Sequence, residues 1–526
     1  MAEHSDRYVQ RERPLRRGKP LQRVLLFAAQ IVLQFVLVPA VMPAATPSPE
    51  DKNAKLIRLL TDSLPAAPPE IEAHCLLRIA DSGKASAVSA KALVETAFSL
   101  AGYAARPVQA YAAVPAALWM GDNEAGVKSS AGKQRVDALS LRCRAVHSML
   151  RLSVPRAREM FDQIRLEVPA ASCADALRPY PDIYYRTMLE VFTLAFGARE
   201  QEQGTDVEWF SAHTHINRAV QIAPVARALL KFRMDAERLG PLSGTLAAEI
   251  VDMRPDDRSF TATVSEAGPA VQEVGSALKG LGLSVHPLAA AWAGYLKRGL
   301  TAPRCQESVA GDGLQATKES VEAFNLTEAV WDPTLTKINF EELTSKVVLK
   351  ERAEVRRYWV APENEKMVND YRALRFGTPE QRAVYASIKR PDNLLPFLPV
   401  EERRTNEWLA QALRHLRQLE RWKEGLNETG LAQFAMVTDM YSGMLDLIPT
   451  DDPLFGVVLD SYIGLLGNSA LKRDNPAVWL LRTSALIDRG FDGAQAPDFA
   501  LIRAAIRKQG DTTLVALVGV RELTGR

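Results

Sequence analysis

Tyr185, Met188, Leu189, Phe192 and Phe196 follow one another at intervals of three and four residues, and segments built this way recur along most of the chain. Such spacing puts apolar side chains on one stripe of an α-helix, and the stripe must be buried against another element. The pattern predicts helices over 52–63, 69–81, 86–103, 134–151, 155–167, 183–199 and 216–232. It resumes over 406–423, 430–447, 453–467 and 477–488. Between Asn406 and Lys423 the stripe is Leu409, Ala412, Leu413, Leu416 and Leu419, with Arg414, Arg417 and Glu420 facing outward. Alanine is abundant and β-branched residues are sparse, which favours helix over strand.

Prolines punctuate the pattern. Pro107, Pro169 and Pro449 each follow an apolar helical stretch, where a helix must stop. Pro68-Pro69-Glu70, Thr378-Pro379-Glu380, Asp452-Pro453 and Asn475-Pro476 read as helix starts, because proline in a first turn forfeits no hydrogen bond. Gly490 stands where a left-handed cap would close the preceding helix. The best strand candidate is short, Arg258–Val264. The expected fold class is all-α: an irregular array of antiparallel amphipathic helices, α-solenoid or α/α-toroid in type. The architecture resembles that of helical repeat proteins, but no fixed period emerges. The tetratricopeptide pattern of Trp, Leu-Gly, Tyr, Ala and Pro does not recur. The expected organisation is an N-terminal segment (1–45), a first helical array (48–305), a polar linker or long loop (306–335) and a second array (336–526). A glycine-rich stretch near 111–133 reads as an exposed loop.

The N-terminal segment speaks to compartment. Arg7, Arg11, Arg13, Arg16, Arg17, Lys19 and Arg23 outnumber Glu3, Asp6 and Glu12, and the apolar run Val24–Val38 follows, broken only by Gln30 and Gln34. A run of about 15 residues suits a signal peptide, whereas a membrane span needs about 20. Cleavage after Val38-Pro39-Ala40 is expected, with the protein periplasmic, in the cell envelope or secreted. The alternative is an uncleaved anchor, with residues 24–45 the only contact with a membrane. The net charge of the chain is +2, and without the basic leader it turns slightly negative. That leaves no electrostatic footprint for nucleic acid.

In an oxidising compartment four cysteines become a pairing question. Cys75 and Cys143 lie inside helical patterns, while Cys173 and Cys305 lie in proline-flanked segments between helices. Cys173–Cys305 is therefore the disulfide candidate, against the alternative of four free thiols.

Motifs that would carry chemistry are thin. No metal site is expected. His213 and His215, with Glu208 nearby, are the best metal candidate, since two imidazoles two apart can share a metal on an extended segment but not on a helix. Ser469 and Lys472 match S-x-x-K without the later elements a serine enzyme of that type needs. Gly126–Lys133 lacks the spacing and the Ser or Thr of a phosphate loop, so no cofactor is expected. Asp451-Asp452 and Glu341-Glu342 read as helix starts. Trp408 and Trp422 are expected to help bury their helix, and Trp209 or Trp331 could stack on carbohydrate if exposed. The functional expectation is an exported helical scaffold that binds a protein or peptide, with catalytic residues unknown and an enzyme disfavoured. The alternative is an exported α-helical enzyme that acts on polysaccharide through an acidic cleft.

Overall fold

A computed structural model describes residues 49–104, 109–111, 124–170, 172–173, 177–253, 259–305, 312–327, 332–345, 347–350, 364–377, 400–425, 430–489 and 496–525. The N-terminal segment, Pro107, Trp331, Thr378-Pro379-Glu380 and Gly490 lie outside these residues. The fold is all-α. Its first helices are α1 (Pro49–Ser63), α2 (Pro69–Asp81), α3 (Ala87–Leu100), α4 (Glu124–Gly132), α5 (Ala138–Leu150), α6 (Val154–Phe161) and α7 (Asp182–Ala195). Next come α8 (Ala198–Glu202), α9 (Thr205–His213), α10 (Ile222–Leu229), α11 (Ala236–Asp252), α12 (Ser259–Gly280), α13 (His286–Thr301), α14 (Asp312–Leu326) and α15 (Phe340–Thr344). The remainder are α16 (Glu365–Phe376), α17 (Val400–Arg403), α18 (Asn406–Gly425), α19 (Leu431–Leu447) and α20 (Pro453–Asn468). The last four are α21 (Leu471–Asp474), α22 (Pro476–Arg489), α23 (Ala496–Gln509) and α24 (Thr512–Thr524).

Side-chain caps set many of the boundaries. Asp137 accepts from the Ser140 amide at 2.9 Å, Asp511 from Leu514 at 2.9 Å and Asp452 from Leu454 at 2.8 Å. Each satisfies an amide that the first helical turn leaves without a partner. Proline opens α2, α6, α13 and α20. Two prolines instead lie inside helices, Pro241 in α11 and Pro269 in α12.

Several sequence expectations need correction. Ser259–Val264 is the start of α12 and not a strand, because Phe260 and Val264, four apart, are both buried on one helical stripe. Much of the expected 306–335 loop is α14: Thr317, Ser320, Val321 and Phe324 are buried at helical spacing, with polar residues inside the stripe hiding its period. The 111–133 stretch includes α4, whose Val127 and Ala131 are buried one turn apart. The helix expected over 155–167 ends at Phe161, where the Gln163 and Ile164 amides turn back onto Met160 and Phe161. Gly197 interrupts 183–199, separating α7 from α8.

Packing proceeds between near neighbours. α2 packs on α3 and α5, and α5 on α6 and α7. Further along, α10 packs on α12, α11 on α13, and α12 on α14. In the last third α16 packs on α18, α19 on α20, and α20 and α22 on α23. The ends of the unit also meet: α24 packs on α1 and α2, and α22 on α4. Two short ladders tie loops together, Gln109–Tyr111 antiparallel to Leu177–Pro179 and Arg304–Cys305 parallel to Leu349–Lys350. Beside the second, Cys305 is disulfide-bonded to Cys173, with the Cα atoms 5.3 Å apart. Cys75 and Cys143 are free and buried. Among the described residues no helix is long and apolar enough to cross a membrane.

Candidate functional site

Pro269 has no amide hydrogen, so the Ser265 carbonyl one turn earlier in α12 loses its helical donor. Gly268, beside it, carries no side chain. Both line a cleft of about 230 Å³ where α12, α13 and α14 meet. Gly268, Trp292, Ser320 and Phe324 form its buried floor. Trp292 is only 1% exposed and stacks on Tyr295 at 5.2 Å between ring centres. The Ser320 hydroxyl donates to the Ala316 carbonyl at 2.8 Å, with the Val264 carbonyl of α12 at 3.4 Å. Ser265, Gln272, Ala316 and Ala323 form the walls, and among the described residues Glu319 is the only ionisable one lining the cleft.

The size of this cleft limits what it can hold. It exceeds the roughly 150 Å³ that accommodates a benzene ring and falls below the roughly 300 Å³ at which drug-sized ligand sites begin. One aromatic or branched aliphatic side chain matches it. Glycosidic cleavage needs two carboxyl groups across the bond, and the cleft offers Glu319 alone, its Oε1 accepting from Gln315 Nε2 at 3.0 Å. Sequence reading passed over this site. The signal that could have found it was a Gly-Pro pair inside an amphipathic segment.

His213 and His215 are given separate partners. His213 ends α9, and its Nδ1 donates to the Trp209 carbonyl at 2.7 Å while Nε2 lies 3.5 Å from Asp162. His215 follows the helix, and its Nδ1 donates to Glu249 at 2.5 Å. Both δ nitrogens thus carry protons, and Glu208 is exposed elsewhere on α9. Among the described residues no group of three His, Cys, Asp or Glu side chains could hold a metal ion. Lys472 donates to Asp511 at 2.7 Å, and the Ser469 hydroxyl accepts from the Leu471 amide at 3.2 Å, so the two perform structural tasks. Gly126–Gly132 is helical, within α4.

Trp209, offered as a stacking surface if exposed, is 8% exposed and donates to Asp162 at 2.6 Å. Trp408 is buried and donates to the Leu374 carbonyl at 3.1 Å. Asp452 caps α20, and Glu341 and Glu342 open α15.

The fold defines an all-α helical array, and the site is a side-chain-sized cleft between three of its helices. No protein-family model matches the chain, and no curated protein or solved structure does so either.

Proposed function

We propose that this chain is an exported helical scaffold, and that it binds a protein or peptide partner by taking one apolar side chain of that partner into the α12–α14 cleft. The carrying observation is the match between a cleft of about 230 Å³, floored by Trp292 and Phe324, and the volume of a single anchor side chain. Anchors of this kind dominate binding energy when they enter a desolvated pocket ringed by near-neutral contacts. Ser265, Gln272 and Ala323 would supply that ring. Export is supported by the basic leader with its 15-residue apolar run, and by the Cys173–Cys305 disulfide, a bond that persists in oxidising compartments.

A photo-crosslinking residue at Ala323, which is exposed at the cleft, tests the binding reading. A discrete partner adduct is expected from Ala323, absent when Gly268→Leu fills the cleft, and absent from the same probe at Val88 on α3. Equal labelling from Ala323 and Val88 would remove the support for the cleft. N-terminal sequencing of the protein recovered from cell fractions tests export. A chain beginning at Val41 outside the cytoplasm is expected, and an intact Met1 in a membrane fraction would favour the anchor.

A further inference from the structure

The surroundings of the α12–α14 cleft carry an excess of negative charge. Within one turn of the lining residues, the described side chains of α12 and α14 include Glu266, Glu273, Glu319 and Glu322 against Lys318. The matching stretch of α13, residues 288–296, holds no charged residue. Lys318 is not part of the lining and is committed elsewhere. Its Nζ lies 3.0 Å from Glu341 Oε1 of α15, and Glu322 acts on it as a weaker second counter-charge. Glu319 does line the cleft, is exposed, and accepts from Gln315 on its own helix. Among the described residues no cation pairs with Glu319, and the half-buried Gln272 side chain on α12 has no hydrogen-bond partner.

This charge discriminates between possible occupants of an apolar cleft. A carboxylate exposed at the rim stays hydrated while the cleft is empty, so the lone Glu319 costs the free protein little. A partner that brought further carboxylates to the mouth would be repelled, whereas one that brought a cation would be steered in and held. One more apolar group lies close by. Leu326, 73% exposed, stands three residues beyond Ala323 and seven beyond Glu319, and so lies on the same side of α14. It offers an apolar contact about one turn from the cleft wall.

We infer, resting on the reading of this cleft as an anchor site, that its partner is a basic peptide segment: lysine or arginine stands beside the apolar anchor and meets Glu319, and a second apolar residue covers Leu326. Gln272 can donate to the backbone of such a segment from the α12 wall. The anchor supplies affinity, and the acidic mouth supplies on-rate and selection against acidic segments.

Fluorescence anisotropy of the full chain with two labelled peptides tests this assignment. In one peptide a tryptophan is flanked by lysines and followed by a leucine; in the other glutamates replace the lysines. The lysine peptide is expected to bind saturably and at least tenfold more tightly, with its advantage shrinking as chloride is raised. Glu319→Gln should weaken the lysine peptide by up to about fivefold, the range of one exposed ion pair. Glu319→Lys should weaken it at least tenfold and narrow the gap between the two peptides, while Glu407→Lys on α18 changes neither. Equal binding of both peptides, lost together in Gly268→Leu, would overturn the basic partner and leave the cleft as an anchor site. Binding of the lysine peptide that survives Gly268→Leu would overturn the anchor reading itself, and this inference with it. No saturable binding of the lysine peptide, or a preference untouched by Glu319→Lys, also overturns the inference.

Discussion

Gly299 of α13 touches Phe260 of α12 so closely that a Cβ built on it would stand 2.1 Å from the aromatic ring. A buried ring has little room to retreat. Gly299→Ala therefore loses more to overpacking than it gains in helix propensity, with a net destabilisation of about 1–2 kcal/mol expected from urea denaturation. His415 is buried on α18 against Tyr371, and burial pushes its pKa down to about 4 from 6.5. Below pH 6.5 the unfolded chain binds a proton that the native state refuses, so stability falls with pH across that window and levels off near pH 4. At about 1.4 kcal/mol per unit the loss reaches about 3 kcal/mol, and His415→Gln should show a flatter stability profile between pH 6.5 and 4 than wild type. The Cys75 and Cys143 thiols are buried and pushed up to about 12, so a thiol reagent should modify them only after unfolding. At this scale sequence reading was weakest. It noticed His213 and His215, and the structure assigned them to different carboxylates.

Elements were more legible, because helix formation leaves a periodic trace. The stripe on α7 is buried where Tyr185, Met188, Phe192 and Phe196 repeat. Failures fell where the stripe is polar or small. α14 buries Thr317 and Ser320, and α12 opens with Phe260 and Val264 separated by residues that suggest alternation. Pro269 is the informative irregularity of α12, since a proline there removes one backbone bond at the wall of the cleft. Pro269→Ala restores a donor for the Ser265 carbonyl, and a gain of about 1–3 kcal/mol in urea denaturation is expected. The same variant should crosslink less through Ala323, because a straighter α12 narrows the cleft. Stability and partner capture would then move in opposite directions, which a general folding defect could not produce.

Across the whole molecule, composition and helix spacing indicated an all-α chain, but they could not indicate which helices meet across long separations. α24 packs on α1 and α2, so the last residues help cover the first apolar helices. Contacts of that kind join the two arrays read from the sequence into one packed unit spanning Ser48–Arg526. Loss of the disulfide through Cys173→Ala with Cys305→Ala should lower stability by about 4 kcal/mol, because the bond closes a loop over a separation of 132 residues. A non-reducing peptide map should recover that link, with Cys75 and Cys143 as free thiols. The same bond has a further consequence. Everything from α7 through α13 lies between its two sulfurs, so a protease that cuts this stretch once opens the chain without dividing the molecule. The nicked protein would migrate as a single species until reductant is added, and then separate into two pieces whose sizes report where the cut fell.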